Sequence, residues 1–184
     1  MAKSPLHIEV GIQLNEIVKP NNSNNLEVRL DGTCSGLPKS EGGLSIPLFF
    51  ASKANSTQLC EVDAMLLKNS KVAVVVEIEE SNTKPTQICG KYLTTALSKV
   101  CSTKIDGNIN IDNKIDFIQI LDTSALKPKS QKPDKFKILE KAIKNEPSGC
   151  IKEYDIIDID KNSNNFKAEL KSKLCKILKK NGVI

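Results

Sequence analysis

The sequence predicts an α/β fold, a mixed central β-sheet flanked by helices. Three observations carry that reading. Apolar residues recur at helical spacing near both ends of the chain, two β-rich segments flank a short polar turn near residue 70, and strands alternate with helices after it. At 184 residues, with 39% hydrophobic and 27% charged side chains, the chain suits one domain spanning 1–184 better than two.

Leu6, Val10, Leu14 and Ile17 follow one another at intervals of four, four and three, the stripe of a helix that ends before Pro20. After an Asn-rich turn, Leu26, Val28 and Leu30 alternate, and a Gly-, Pro- and Ser-containing loop over 31–43 follows. LSIPLFFAS (44–52) reads as a strand with Pro47 at an edge or bulge. CEVDAMLL (60–67) and VAVVVEIEE (72–80) make a hairpin across KNSK. Pro85 opens a helix through PTQICGKYLTTALSKV (85–100), and the apolar IDFIQIL (115–121) is a buried strand reached across it, a crossover unit. A polar loop (122–135), a helix through Phe136, Leu139 and Ile143 to Asn145, and a strand over 151–160 come next. The final helix (166–181) carries Phe166, Leu170, Leu174 and Ile177 as its stripe and Gly182 beyond its end.

The net charge of +5 is unevenly placed. Residues 1–126 hold 12 basic and 14 acidic side chains, whereas residues 127–184 hold 15 and 8. A basic C-terminal end can hold nucleic acid, with Lys173, Lys176 and Lys180 of the last helix as candidate contacts, although solvated lysine-rich helices are the commoner cause. Arg29 is the single arginine, so bidentate guanidinium readout of guanine is not a major device. Glu9 and Glu16 interrupt the N-terminal apolar stretch and no run approaches the ~18 residues of a membrane span, so an intracellular, cytoplasmic protein without membrane attachment is expected. The six cysteines form no CxxC pair and read as reduced thiols; with His7 the single histidine, zinc is disfavoured.

Side chains alternate along a strand, so Glu61, Asp63, Met65 and Leu67 share one face, and Glu77 and Glu79 share a face with Ala73 and Val75. A two-residue turn would pair Asp63 with Val76 and mix faces. A three-residue loop, Asn69–Lys71, pairs Asp63 with Glu77 and Glu61 with Glu79, and the hydrophobic pattern selects it. Carboxylates so gathered repel unless a cation joins them, and hard oxygen ligands suit Mg²⁺ or Mn²⁺.

With Asp63 in EVD and Glu77 in VVVEIE, the segment 44–121 resembles the PD-(D/E)xK, or restriction-endonuclease-like, nuclease superfamily. The resemblance places Asp63 at the motif's Asp, Glu77 at its second acid and Glu79 where lysine is usual; Val62 stands in place of the motif's proline. It implies a restriction-endonuclease-like fold and a Mg²⁺-dependent endodeoxyribonuclease, for example a type II restriction enzyme acting on DNA as a homodimer. Asp63 and Glu77 would hold the metal, and Glu79 would bind a second ion or orient the attacking water. Lys84 or Lys91 could stand in for the missing lysine, and Glu61 or, from the first helix, Glu16 could be accessory. Solvated acids and lysines are the plainer reading of these last four. The competing function is a non-catalytic nucleic-acid-binding or assembly subunit that shares the fold, a reading that the Glu at position 79 keeps open.

Overall fold

The computed structural model describes residues 5–80, 84–111, 114–126, 132–145 and 148–184. Among them are four α-helices, α1 (Pro5–Val18), α2 (Pro85–Ala96), α3 (Lys132–Asn145) and α4 (Phe166–Lys180). The strands are β1 (Leu26–Leu30), β2 (Pro47–Phe49), β3 (Gln58–Glu61), β4 (Ala64–Lys68), β5 (Lys71–Glu79), β6 (Val100–Thr103), β7 (Gly107–Asn110), β8 (Ile115–Asp122) and β9 (Ile151–Ile159). Five form a mixed sheet in the order β1-β4-β5-β8-β9, antiparallel as far as β5 and parallel from β5 to β9. Four short ones form a second, antiparallel sheet in the order β3-β2-β6-β7.

The mixed sheet is covered on both faces. Leu6, Val10 and Leu14 of α1 and Leu170, Leu174 and Leu178 of α4 pack on Val74, Val76, Ile118 and Ile157. On the other face Ile88 and Tyr92 of α2, Phe136 of α3, and Leu48 and Cys101 of the second sheet pack on Met65, Val75, Phe117 and Tyr154. Burying each such side chain contributes about 1.5–3 kcal/mol, which is why the 3.6-residue stripes of α1 and α4 are readable in the sequence. All six cysteines are free thiols. No helix among the described residues is long and apolar enough to cross a membrane.

Three expectations need correction. First, CEVDAMLL is not one strand: Gln58–Glu61 belongs to the second sheet and Ala64–Lys68 to the mixed one, so the chain changes sheets at Val62–Asp63. There the Val62 N–H donates to Ile46 O (3.1 Å) and the Asp31 N–H to Asp63 O (2.9 Å). Glu61 therefore pairs with Pro47, not with Glu79. Second, the hairpin turn is two residues long, Asn69 and Ser70 with φ of 52° and 60°, the left-handed pair of a type I′ turn. A bulge after Val72 restores the register: Leu67 faces Val72, Leu66 faces Val74, and Ala64 faces Val76. The extra residue, Ala73, turns to the α1/α4 face, and past it the strands run in the register that sets Asp63 across from Glu77. Third, α2 stops at Ala96 rather than running to residue 100, and two strands without a signal in the sequence follow it, β6 pairing with β2 and β7 with β6. Those strands are four residues each and rich in Ser, Thr and Asn, so period-2 hydrophobicity is absent even though Ser102 and Thr103 are buried.

The C-terminal helices are tied to β9 through one acid. Asp155, only 5% exposed, receives Lys144 Nζ of α3 (2.9 Å), Lys180 Nζ of α4 (3.2 Å) and Asn181 Nδ2 (3.2 Å). Burial opposes its ionisation, but these donors hold its carboxyl below the usual range. Asp155→Ala is expected to lower unfolding free energy by about 2–3 kcal/mol in urea titration, whereas the exposed Asp158→Ala shifts it by less than about 1 kcal/mol.

Candidate active site

β5 carries Glu77 and Glu79 on its α2-facing side, and the change of sheets delivers Asp63 beside them. Lys91 arrives from α2 and His7 from the first turn of α1. Gly11 lets α1 sit this close to the 31–36 loop: a Cβ there would lie 2.3 Å from Cys34 O. A mid-helix glycine costs about 1 kcal/mol relative to alanine, and here it permits the approach that alanine would forbid.

Asp63 takes a hydrogen bond that a strand partner would otherwise receive, its Oδ2 accepting from the Ile78 N–H at 2.7 Å. Its Oδ1 lies 3.7 Å from His7 Nε2, and His7 Nδ1 lies 3.5 Å from Glu80 Oε1. Glu77 is 0% exposed; its Oε2 accepts from Lys91 Nζ at 2.9 Å, while its buried Oε1 has no donor among the described residues. The charge of Asp63 acts on the Glu77 carboxyl and opposes its ionisation, a conflict that a proton or a cation would relieve.

Burial, then the charge of Asp63, pushes the Glu77 carboxyl up to about 8 although Lys91 pulls it down. Asp63 is also raised by burial, against the pull of His7 and the Ile78 N–H. Glu79 is half-buried and raised by the same cause, partly countered by Lys91. Burial would lower Lys91, yet Glu77, Asp63 and Glu79 outweigh it and hold the ammonium above its ordinary value. The centre thus pairs reluctant carboxylates with a firmly protonated lysine.

Among the described residues no three His, Cys, Asp or Glu side chains gather closely enough to ligate one ion. Mg²⁺, however, commonly takes one or two carboxylates and completes its shell with water and substrate phosphate. The donorless Glu77 Oε1 beside Asp63 suits such an ion: hard oxygens, one of them buried and unsatisfied, with carboxyl groups whose ionisation awaits positive charge.

Other candidates lie elsewhere. Lys84 is exposed at the N-cap of α2, where its backbone N–H donates to Gln87 Oε1 (2.8 Å). Glu61 is exposed at the end of β3. Glu16 pairs with Lys171 of α4 at 2.6 Å, nine residues or roughly 13 Å along α1 from His7. Lys173 pairs with Asp158 and Glu169, Lys180 with Asp155 and Glu153, and Lys176 is exposed. The structure adds Gln119, which sequence reasoning missed: it stands beside Glu77 in the parallel β5–β8 pairing and is 0% exposed. Its Oε1 accepts from Tyr154 OH, and its Nε2 has no acceptor among the described residues. A glutamine in the middle of the apolar run IDFIQIL was the available signal. Compared with known proteins, the chain matches no family model, no curated protein and no solved structure.

Proposed function

We propose that the chain is a Mg²⁺-dependent endodeoxyribonuclease, in the manner of a type II restriction enzyme working as a homodimer on DNA. One observation carries the reading: beside half-buried Asp63, the buried acid Glu77 has a protonated lysine, Lys91, 2.9 Å from one of its oxygens. That is the set of charges the PD-(D/E)xK motif assembles, with the lysine supplied by α2 in place of position 79. Asp63 and Glu77 would hold Mg²⁺, with Mn²⁺ able to substitute; such an ion supplies charge neutralisation at the scissile phosphate and lowers the pKa of water. Lys91 keeps its proton and donates to a phosphate oxygen, stabilising charge that grows as the phosphodiester is attacked. Glu79, on the same strand face and raised by burial, orients the attacking water and receives its proton.

Lys91→Ala is expected to reduce Mg²⁺-dependent cleavage of mixed DNA by about 100-fold or more. Adding Glu79→Lys to Lys91→Ala returns a lysine to the motif's own position and should restore part of the loss. Full activity of Lys91→Ala would remove Lys91 from the reaction. The second reading, a non-catalytic nucleic-acid-binding subunit, is favoured by the Lys91–Glu77 ion pair, since a lysine that merely neutralises a buried carboxylate needs no reaction. Incubation of the purified protein with plasmid and Mg²⁺, against an EDTA control, separates the two: binding without any metal-dependent cut selects the second.

A further inference from the structure

Gln119 of β8 and Glu77 of β5 stand side by side in the parallel pairing, and each keeps one polar atom without a partner among the described residues. The two side chains share a sheet face. Glu77 alternates with Val75, and Gln119 with Phe117 and Leu121, and those three apolar residues pack with Ile88 and Tyr92 of α2. Neighbouring strands lie about 4.8 Å apart and glutamate and glutamine side chains are equally long, so their terminal groups come within reach of each other. Both residues are 0% exposed.

One end of Gln119 is already committed. Its Oε1 accepts from Tyr154 OH, and the Tyr154 ring is fixed between Phe117 and Tyr92, at 5.8 and 5.4 Å between centroids. Burial pushes the Tyr154 phenol up, so it keeps its proton and stays the donor. With the amide oxygen turned to Tyr154, Gln119 Nε2 is left with its N–H donors and no acceptor. It is the single nitrogen among the partnerless buried side-chain atoms of the described residues. Glu77 is the complementary case: Lys91 Nζ holds Oε2 at 2.9 Å, and Oε1 has no donor. A buried polar group left unpaired is costly, so a donor and an acceptor orphaned on neighbouring strands point to each other.

We propose that Gln119 is a positioning residue for the acid centre, its amide N–H reaching Glu77 Oε1 directly or through one bridging water. Tyr154 aims the amide, Gln119 and Lys91 hold one oxygen each of the carboxylate, and the remaining lone pairs stay open to a cation. The chemistry this serves rests on the nuclease reading above, whereas the coupling of Gln119 to Glu77 stands without it.

Thermal melts of the full chain in EDTA, at fixed pH and ionic strength, test the coupling through a double-mutant cycle of Glu77→Met and Gln119→Met. With Gln119 present, Glu77→Met strands the Nε2; in Gln119→Met that loss is absent. The change in melting temperature on Glu77→Met should therefore be at least about 3 °C more favourable in Gln119→Met than in wild type. Glu79→Gln, whose neighbour on β8 is Leu121, should act alike in both. Gln119→Met also deprives Tyr154 of its acceptor, so the same cycle in Tyr154→Phe, where both partners of that bond are replaced, covers the case in which Gln119→Met alone does not fold. Additive shifts, the result expected of a glutamine that serves only Tyr154, would overturn the proposal. Mg²⁺ then separates the pair from the ion. Where Mg²⁺ stabilises wild type, Gln119→Met should need about tenfold more of it for the same rise in melting temperature, and an equal response would overturn the positioning role. Coupling without any response of wild type to Mg²⁺ would uphold the Gln119–Glu77 pair and remove the metal from the centre.

Discussion

Asp63→Ala and Glu77→Ala are each expected to lose Mg²⁺-dependent DNA cleavage by roughly 10³-fold or more, about 4 kcal/mol of transition-state stabilisation, while remaining folded. Both carboxyls lie where a cation would sit and neither anchors the apolar core. Asp63 does hold the Ile78 N–H, so Asp63→Asn, which keeps an acceptor there, serves as the folded control if Asp63→Ala proves unstable. Glu61→Ala should be nearly silent, because Glu61 is exposed on the second sheet beside Pro47. Undiminished cleavage by folded Glu77→Ala would sink the site assignment, and a large effect of Glu61→Ala would show that the catalytic charges lie elsewhere.

Glu77→Gln is expected to stabilise the metal-free protein, and the more so the higher the pH. The Glu77 carboxyl, at about 8 in the folded chain, stands above its ordinary value of 4.5. The folded state therefore holds that proton more tightly than the unfolded chain does. The contribution to stability is fully present below about pH 4.5 and is lost as pH rises through about 8. Wild type should weaken across that window, and Glu77→Gln should not. Lys91 stays compensated in the variant, since Asp63 and Glu79 also act on it. At pH 8.5 the gain should reach about 2 kcal/mol, or roughly 4–8 °C in melting temperature. Millimolar Mg²⁺ should stabilise wild type through preferential binding to the folded state, and Glu77→Gln far less. Parallel pH profiles of the two proteins, with the same response to Mg²⁺, would refute both the buried charge pair and the ion.

The two long apolar stripes, of α1 and α4, stand out in the sequence because each repeats every three or four residues over at least three turns. The run of valines in β5 and the apolar 115–121 segment are equally legible, being continuous runs bounded by turns. Position 79, where a glutamate replaces the motif's lysine, was legible as a departure, but its remedy was not. Lys91 was one of two lysines the sequence offered, and what singled it out was that α2 lays it 2.9 Å from Glu77 while leaving Lys84 in solvent. Gln119 likewise entered only through the parallel β5–β8 register.

By itself the sequence determined the alternation of helices and strands and the strand face carrying Glu77 and Glu79; the three-residue loop it selected for the hairpin is instead a two-residue turn followed by a bulge. The alternation and the strand face follow from local periodicity and from the cost of turning apolar side chains to water. Tertiary structure alone decided that the register is achieved by a type I′ turn plus a bulge, that the chain changes sheets at Val62–Asp63, and that Lys91, His7 and Gln119 converge on the acids. The physical reason is common to all three: which polar group satisfies a buried charge depends on contacts between residues far apart in the chain, and no local pattern encodes them.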